Sequence, residues 1–151
     1  CDLRSTQASF KPIAIKSANI GTVTLQDPRP FSPRQIVDTY TEEMYYKKNF
    51  EALEDLVADS MIRHEQNGER IVLTREQVRE RIEDFHNQFR SIHFTNRKIV
   101  EDNNSVAAAY EADLVDHEGQ IHTICGIEIF TVSNGRISEI WNSPAGDGSW
   151  G

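Results

Sequence analysis

The chain predicts an α+β domain in which three helices pack on one face of a curved antiparallel sheet. Three observations lead there. Two capping boxes, Ser32-Pro-Arg-Gln35 and Thr74-Arg-Glu-Gln77, each open a stretch whose apolar residues recur at helical spacing. Beyond residue 90 the apolar period changes to two, the period of a pleated strand. That alternating half is punctuated by Asp102-Asn-Asn104, His117-Glu-Gly119 and Ser133-Asn-Gly135, which read as turns between consecutive strands.

Residues 1–31 hold two short alternating runs, Ile13-Ala-Ile15 and Val23-Thr-Leu25, before the Pro28-Arg-Pro30 break, and read as a tether able to add a strand pair. The domain proper is predicted over 32–143. Its first helix begins at Ser32 with proline at the first helical position, and carries Ile36, Val37, Tyr40 and Met44 on one face. A second helix is expected after Asn49, with Phe50, Leu53, Leu56 and Val57 on its apolar side and its end near Asp59. Met61 to Gln66 and Glu69 to Leu73 flank Asn67-Gly68 as a small hairpin. The third helix opens at Thr74 and displays Val78, Ile82, Phe85 and Phe89. Strands follow at about 92–101, 106–115, 121–132 and 137–142, and the glycine-rich residues 144–151 read as a flexible tail.

At 151 residues with 38% hydrophobic content the chain is one ordinary domain, able to bury a core of its own. The net charge of -8 is uneven: residues 1–31 carry four cations and two anions, the remainder 12 and 22. A nucleic-acid-binding body is excluded by that balance, since phosphate contacts need clustered cations. Arg75, Arg79 and Arg81 alternate with Glu76, Glu80, Glu83 and Asp84 as on a solvated helix face. Two cysteines, Cys1 and Cys125, give neither a disulfide framework nor a cysteine zinc site. The five histidines are scattered, and His64-Glu-Gln-Asn-Gly68 lacks the second histidine of a zinc-protease helix, so neither metal nor cofactor is expected. A chain beginning at Cys1 fits a lipoprotein cleaved before its lipid-bearing cysteine, and equally a trimmed chain; on the first reading Cys1 is a membrane tether and the location the cell envelope or outside rather than the cytoplasm.

Glu128 is the residue that needs a reason. Strict alternation puts it on one face with Ile124, Gly126, Phe130 and Val132, and an interior carboxylate is costly unless paired or neutralised. It is either bridged to Arg63, Arg97 or Arg136, or it is a site residue. His64 shares a face with Ile62, where an imidazole is either a satisfied core or rim residue or a proton carrier. Tyr110 joins the face of Glu128 if His117-Glu-Gly119 is a three-residue loop with Gly119 left-handed, and the opposite face otherwise.

The order of elements, Met61-Ile-Arg-His64 and Gly126-Ile-Glu-Ile-Phe-Thr-Val-Ser-Asn-Gly-Arg-Ile-Ser-Glu-Ile-Trp-Asn142 together resemble the nuclear transport factor 2-like superfamily, most closely its SnoaL-like polyketide-cyclase branch, over about 32–142. The resemblance implies a cone whose helices close a curved sheet over a pocket, a small hydrophobic or carbonyl-containing ligand, and a homodimer formed through the open sheet face. In ketosteroid isomerase members a carboxylic acid on the matching strand is held neutral and donates a hydrogen bond to a developing oxyanion. By that analogy His64 would be the base and Glu128 the neutral acid, with Tyr40, Phe85, Phe89, Tyr110, Trp141 and Asn142 lining the substrate site, in a cofactor-free isomerase, cyclase or dehydratase. Two departures stand out. Ile140-Trp141-Asn142 replaces the branch's His-Trp-Asp, and Ala109-Tyr110-Glu111 lacks the arginine of the epoxide hydrolase pattern. The alternative is a non-catalytic envelope protein that binds a hydrophobic ligand or a protein partner.

Overall fold

A computed structural model describes residues 31–151; the expected tether, its strand pair and Cys1 lie outside the described residues. Helix α1 (Pro33–Thr41) starts as its capping box demands. Gln35 N donates to Ser32 Oγ at 3.1 Å, and Ser32 N donates back to Gln35 Oε1 at 2.7 Å. A single π turn, Glu42–Tyr46, then extends the helix. The second helical segment is shorter than expected: a 3-10 turn at Phe50–Ala52 runs into α2 (Leu53–Leu56), and the chain is already strand at Val57. The spacing of Leu53, Leu56 and Val57 satisfies a helix or a helix-to-strand junction equally well, and β-branched Val57 takes the extended option.

Strands β1 (Val57–Glu65) and β2 (Arg70–Thr74) form the predicted hairpin, with Gly68 at φ 90° in its turn. Helix α3 (Arg75–Gln88) opens with the second capping box. Strands β3 (Ser91–Asp102), β4 (Ser105–Val115), β5 (Ile121–Ser133) and β6 (Arg136–Pro144) make the long meander, and their turns place Asn103 and Asn134 at positive φ. The sheet order is β2-β1-β6-β5-β4-β3, curled but unclosed. The expected antiparallel pairing holds except at one seam, where β1 lies parallel to β6. Register slips between Asn96 and Lys98 on β3, and between Thr131 and Val132 on β5, mark the irregularities that bend it.

The core sits between the helices and the inner sheet face. Ile36, Val37 and Met44 from α1 and its π turn meet Leu56 and Val57, and Val106, Ile137 and Ile140 from the sheet, all essentially inaccessible. The glycine-rich end is not loose, contrary to its composition. Ala145 N and Gly148 N donate to Cys125 O and Thr123 O, and Trp150 Nε1 donates to Tyr110 O at 2.7 Å, so the tail lies along β5 and covers Cys125.

Candidate functional site

The inner sheet face and the helices leave a hollow of about 250 Å³. Glu128 enters it from β5, in register with Ala108 on β4 and Asn142 on β6. Tyr40 and Tyr45 descend from α1 and the π turn, Arg63 comes from β1, and Phe85 from α3. Phe94, Tyr110 and Asn142 complete the wall from β3, β4 and β6.

Local sequence explains how these groups are aimed. The π turn inserts an extra residue, so that Tyr45 points into the hollow while its neighbour Tyr46 turns outward to donate its hydroxyl to Phe94 O. Buried Glu43 secures the end of that turn by accepting from Lys47 Nζ at 3.1 Å and Asn49 Nδ2 at 2.8 Å. On β4, Tyr110 pairs with Gly126 across the strands. Its ring occupies the space a side chain there would need: a Cβ on Gly126 would sit 2.6 Å from Tyr110 Cζ and also press on the hydroxyl. Laid flat in this way, Tyr110 Oη reaches Asn142 Oδ1 at 3.2 Å. The β4–β5 loop is the three-residue form, closed by Asp116 N to Gln120 O with Gly119 at φ 88°, which is why Tyr110 shares the face of Glu128.

Glu128 makes no hydrogen bond or ion pair among the described residues, although it faces the hollow with Arg63. The bridges that would have explained it away are absent: Arg63 Nε donates to Glu65 at 3.0 Å, Arg97 pairs with Glu111, and Arg136 Nε donates to Glu54 O. Burial pushes its carboxyl up from an ordinary 4.5 to about 7, against the pull of Arg63 and with a small push from Glu65. Burial likewise pushes the Tyr40 and Tyr110 phenols up to about 12, with Glu128 adding to the rise, and lifts Tyr45 well above its usual range. All three therefore remain hydrogen-bond donors near neutrality.

His64 stands elsewhere. Met61 and Arg63 take the inward positions of β1, so Ile62 and His64 share the outward face, as alternation requires. There His64 Nε2 lies 2.6 Å from Glu139 Oε2, and its ring stacks on Trp141 at 4.6 Å between centroids. The expected convergence of His64 and Glu128 in one hollow is thus not met. Trp141 is likewise outside, beside exposed Ile127 and Ile129, because Ile140 and Asn142 hold the inward positions of β6. Phe89 closes α3 and packs on Phe85 at 5.4 Å without reaching the hollow. Tyr40, Phe85, Tyr110 and Asn142 do line it. His122 pairs with Asp116 at 2.8 Å.

Sequence reasoning gave Arg63 and Arg81 only bland roles, yet both line the hollow, and Phe94 was not singled out. Arg63 had a detectable signal, one strand position in step with Met61; Arg81 had none, since a cation on a mixed-charge helix reads as solvated. Among the described residues no three His, Cys, Asp or Glu side chains gather as metal ligands would.

A six-stranded curled sheet closed by helices over a side-chain-lined hollow defines a protein of the nuclear transport factor 2-like class. Within it the chain belongs to the SnoaL-like domain family, whose model matches residues 37–140. The fold is shared with a protein assigned as a polyketide cyclase from Acidithiobacillus ferrooxidans, 17% identical, with 75% of this chain and 87% of that chain covered at a TM-score of 0.67. IdmH of Streptomyces antibioticus, also assigned as a polyketide cyclase, is similar at 18% identity, 76% and 93% coverage and a TM-score of 0.66. An LEH-like epoxide hydrolase of M. tuberculosis aligns at 13% identity, 73% and 80% coverage and a TM-score of 0.60. A search of curated proteins finds no match.

Proposed function

We propose that the hollow binds a small carbonyl compound and that Glu128 moves a proton on it, as an isomerase, cyclase or dehydratase without a cofactor would. The observation that carries this reading is an unpartnered carboxyl facing the hollow; burial pushes it up to about 7, where a single group can both give and take a proton at cellular pH. The phenols supply the complementary part. Tyr40, which accepts from Tyr45, keeps its own O–H for a carbonyl oxygen whose charge grows as an enolate forms, while Tyr110 commits its O–H to Asn142 Oδ1 and shapes the wall beside it. Phe85 and Phe94 give the ligand's apolar body a surface and limit water. His64 has no part in this scheme.

Solvent deuterium exchange into enolisable ketones such as 2-tetralone, followed by proton NMR, tests the proposal. Catalysed exchange should fall by about a hundredfold or more in Glu128→Ala. Equal exchange by the wild-type protein and that variant would remove Glu128 from the chemistry.

A second copy of the chain is the proposed partner. Ile127, Ile129 and Trp141 stand 37% to 39% exposed on adjacent strands of the outer sheet face, an apolar strip that a copy of the same strip would cover.

A further inference from the structure

While Glu128 is protonated, the hollow holds one more positive charge than negative. Arg63 and Arg81 both line it, and both donate to the same oxygen, Glu65 Oε1, at 3.0 and 3.1 Å. One carboxylate therefore serves two guanidinium groups. Arg63, whose side chain is only 15% exposed, uses Nε for that bond, and its two terminal amino groups have no acceptor among the described residues. A guanidinium fork left open inside a hollow is arranged for a planar, singly charged acceptor.

We propose that the ligand is a monoanionic carboxylic acid of about the size of benzoate, its carboxylate held by the free edge of Arg63 and its apolar body against Phe85 and Phe94. The inference deepens the reading of the same hollow, and rests on it only in setting the ligand's reacting carbonyl toward Glu128. It adds a pH dependence. The charged and titratable groups facing Glu128 are Tyr40 and Tyr45 from α1 and its π turn, Arg63 and Glu65 from β1, Arg81 from α3 and Tyr110 from β4. Burial disfavours the Glu65 charge, but its bonds to Arg63 and Arg81 outweigh that and hold its pKa below the ordinary value, so it stays ionised at neutral pH. Arg63 and the three tyrosines are shifted upward, away from neutrality. Glu128 changes charge near neutrality, and its ionisation cancels the spare positive charge.

The test is calorimetric titration of the whole chain with benzoate and with its neutral isostere benzamide, at pH 6 and pH 8.5. Benzoate should bind about tenfold tighter than benzamide at pH 6, and most of that preference should vanish at pH 8.5. In Glu128→Gln the preference should persist at both pH values. It should be lost in Arg63→Gln. Placing Glu65→Gln in the Glu128→Gln background adds one net positive charge and should tighten benzoate further, a gain that misfolding cannot imitate. Equal affinity for the two probes at pH 6, binding of neither, a preference at pH 6 that survives Arg63→Gln, or weaker benzoate binding in the double variant would each overturn the assignment. The two proposals fail separately. Benzoate preference without Glu128-dependent exchange removes only the proton transfer, and exchange without benzoate preference removes only the anion.

Discussion

Replacing Glu128 by Gln keeps the size of the side chain and removes its charge, which isolates what ionisation of this residue does to the fold. The folded-state value of about 7 stands above an ordinary 4.5. Between those two pH values the unfolded chain releases the proton and the folded chain keeps it, so wild-type stability falls as pH rises through the window. Below 4.5 both states are protonated and above 7 both are ionised, so the loss begins at one and levels off past the other. At about 1.4 kcal/mol for each pH unit the full loss is of the order of 3 kcal/mol, an upper figure because Glu128 is only half-buried. Glu128→Gln should therefore match the wild type at pH 4.5 and exceed it at pH 8 by up to roughly 3 kcal/mol, or about 10 °C in thermal midpoint for a domain of this size. Urea denaturation curves of both proteins across pH 4.5 to 8.5 measure it. A stability difference that stays constant with pH, or one that favours the wild type at pH 8, would show that Glu128 is not held neutral by its surroundings.

Gly126→Ala forces a methyl group against the Tyr110 phenol, should break its bond to Asn142 and cost about 1–3 kcal/mol, read from thermal melts beside a fall in exchange activity. Trp141→Lys puts a charge into the centre of the outer apolar strip, and light scattering should report half the mass of the wild-type species while the monomer keeps its far-ultraviolet dichroism. Ser32→Ala removes one half of the reciprocal cap on α1 and should lower stability by about 1 kcal/mol in urea, with no effect on ligand binding.

Much of this architecture was legible because several rules agreed at each step. Both capping boxes stand where they were read, and the meander strands fall within a few residues of expectation, since turn chemistry and alternation pointed the same way. Glu128 could be set inward because four apolar neighbours shared its parity. Strand β1 offered no such vote. Met61 with Arg63, and Ile62 with His64, each combine one apolar and one polar residue, so periodicity could not choose a face. Burial chose Met61, and Arg63 followed it inside while His64 went out. Placing both Trp141 and Asn142 in the hollow was inconsistent from the start, because adjacent strand residues point to opposite faces. The π turn left no trace in the sequence, as an extra residue in a helix changes phase without changing composition.

That inward arginine permits a final prediction about why Glu128 stays neutral. A core selected for stability alone would join Arg63 to Glu128, since both face the same hollow and an unpartnered interior acid costs free energy. Instead Glu65 takes the arginine's Nε, and its own negative charge raises the Glu128 pKa further. Glu65 is thus a positioning residue that keeps the arginine and the acid apart. Glu65→Gln should remove the opposing charge and release Arg63, so that the titration midpoint of the Glu128 carboxyl carbon, followed by carbon-13 NMR, falls from about 7 toward the ordinary range by about one pH unit or more. The optimum of any exchange activity should move down with it, whereas a purely structural Glu65 would leave the midpoint in place and only lower stability. A midpoint still at about 7 would mean that burial alone holds the proton on Glu128, and that the ion pair at the mouth of the hollow has no hand in its chemistry.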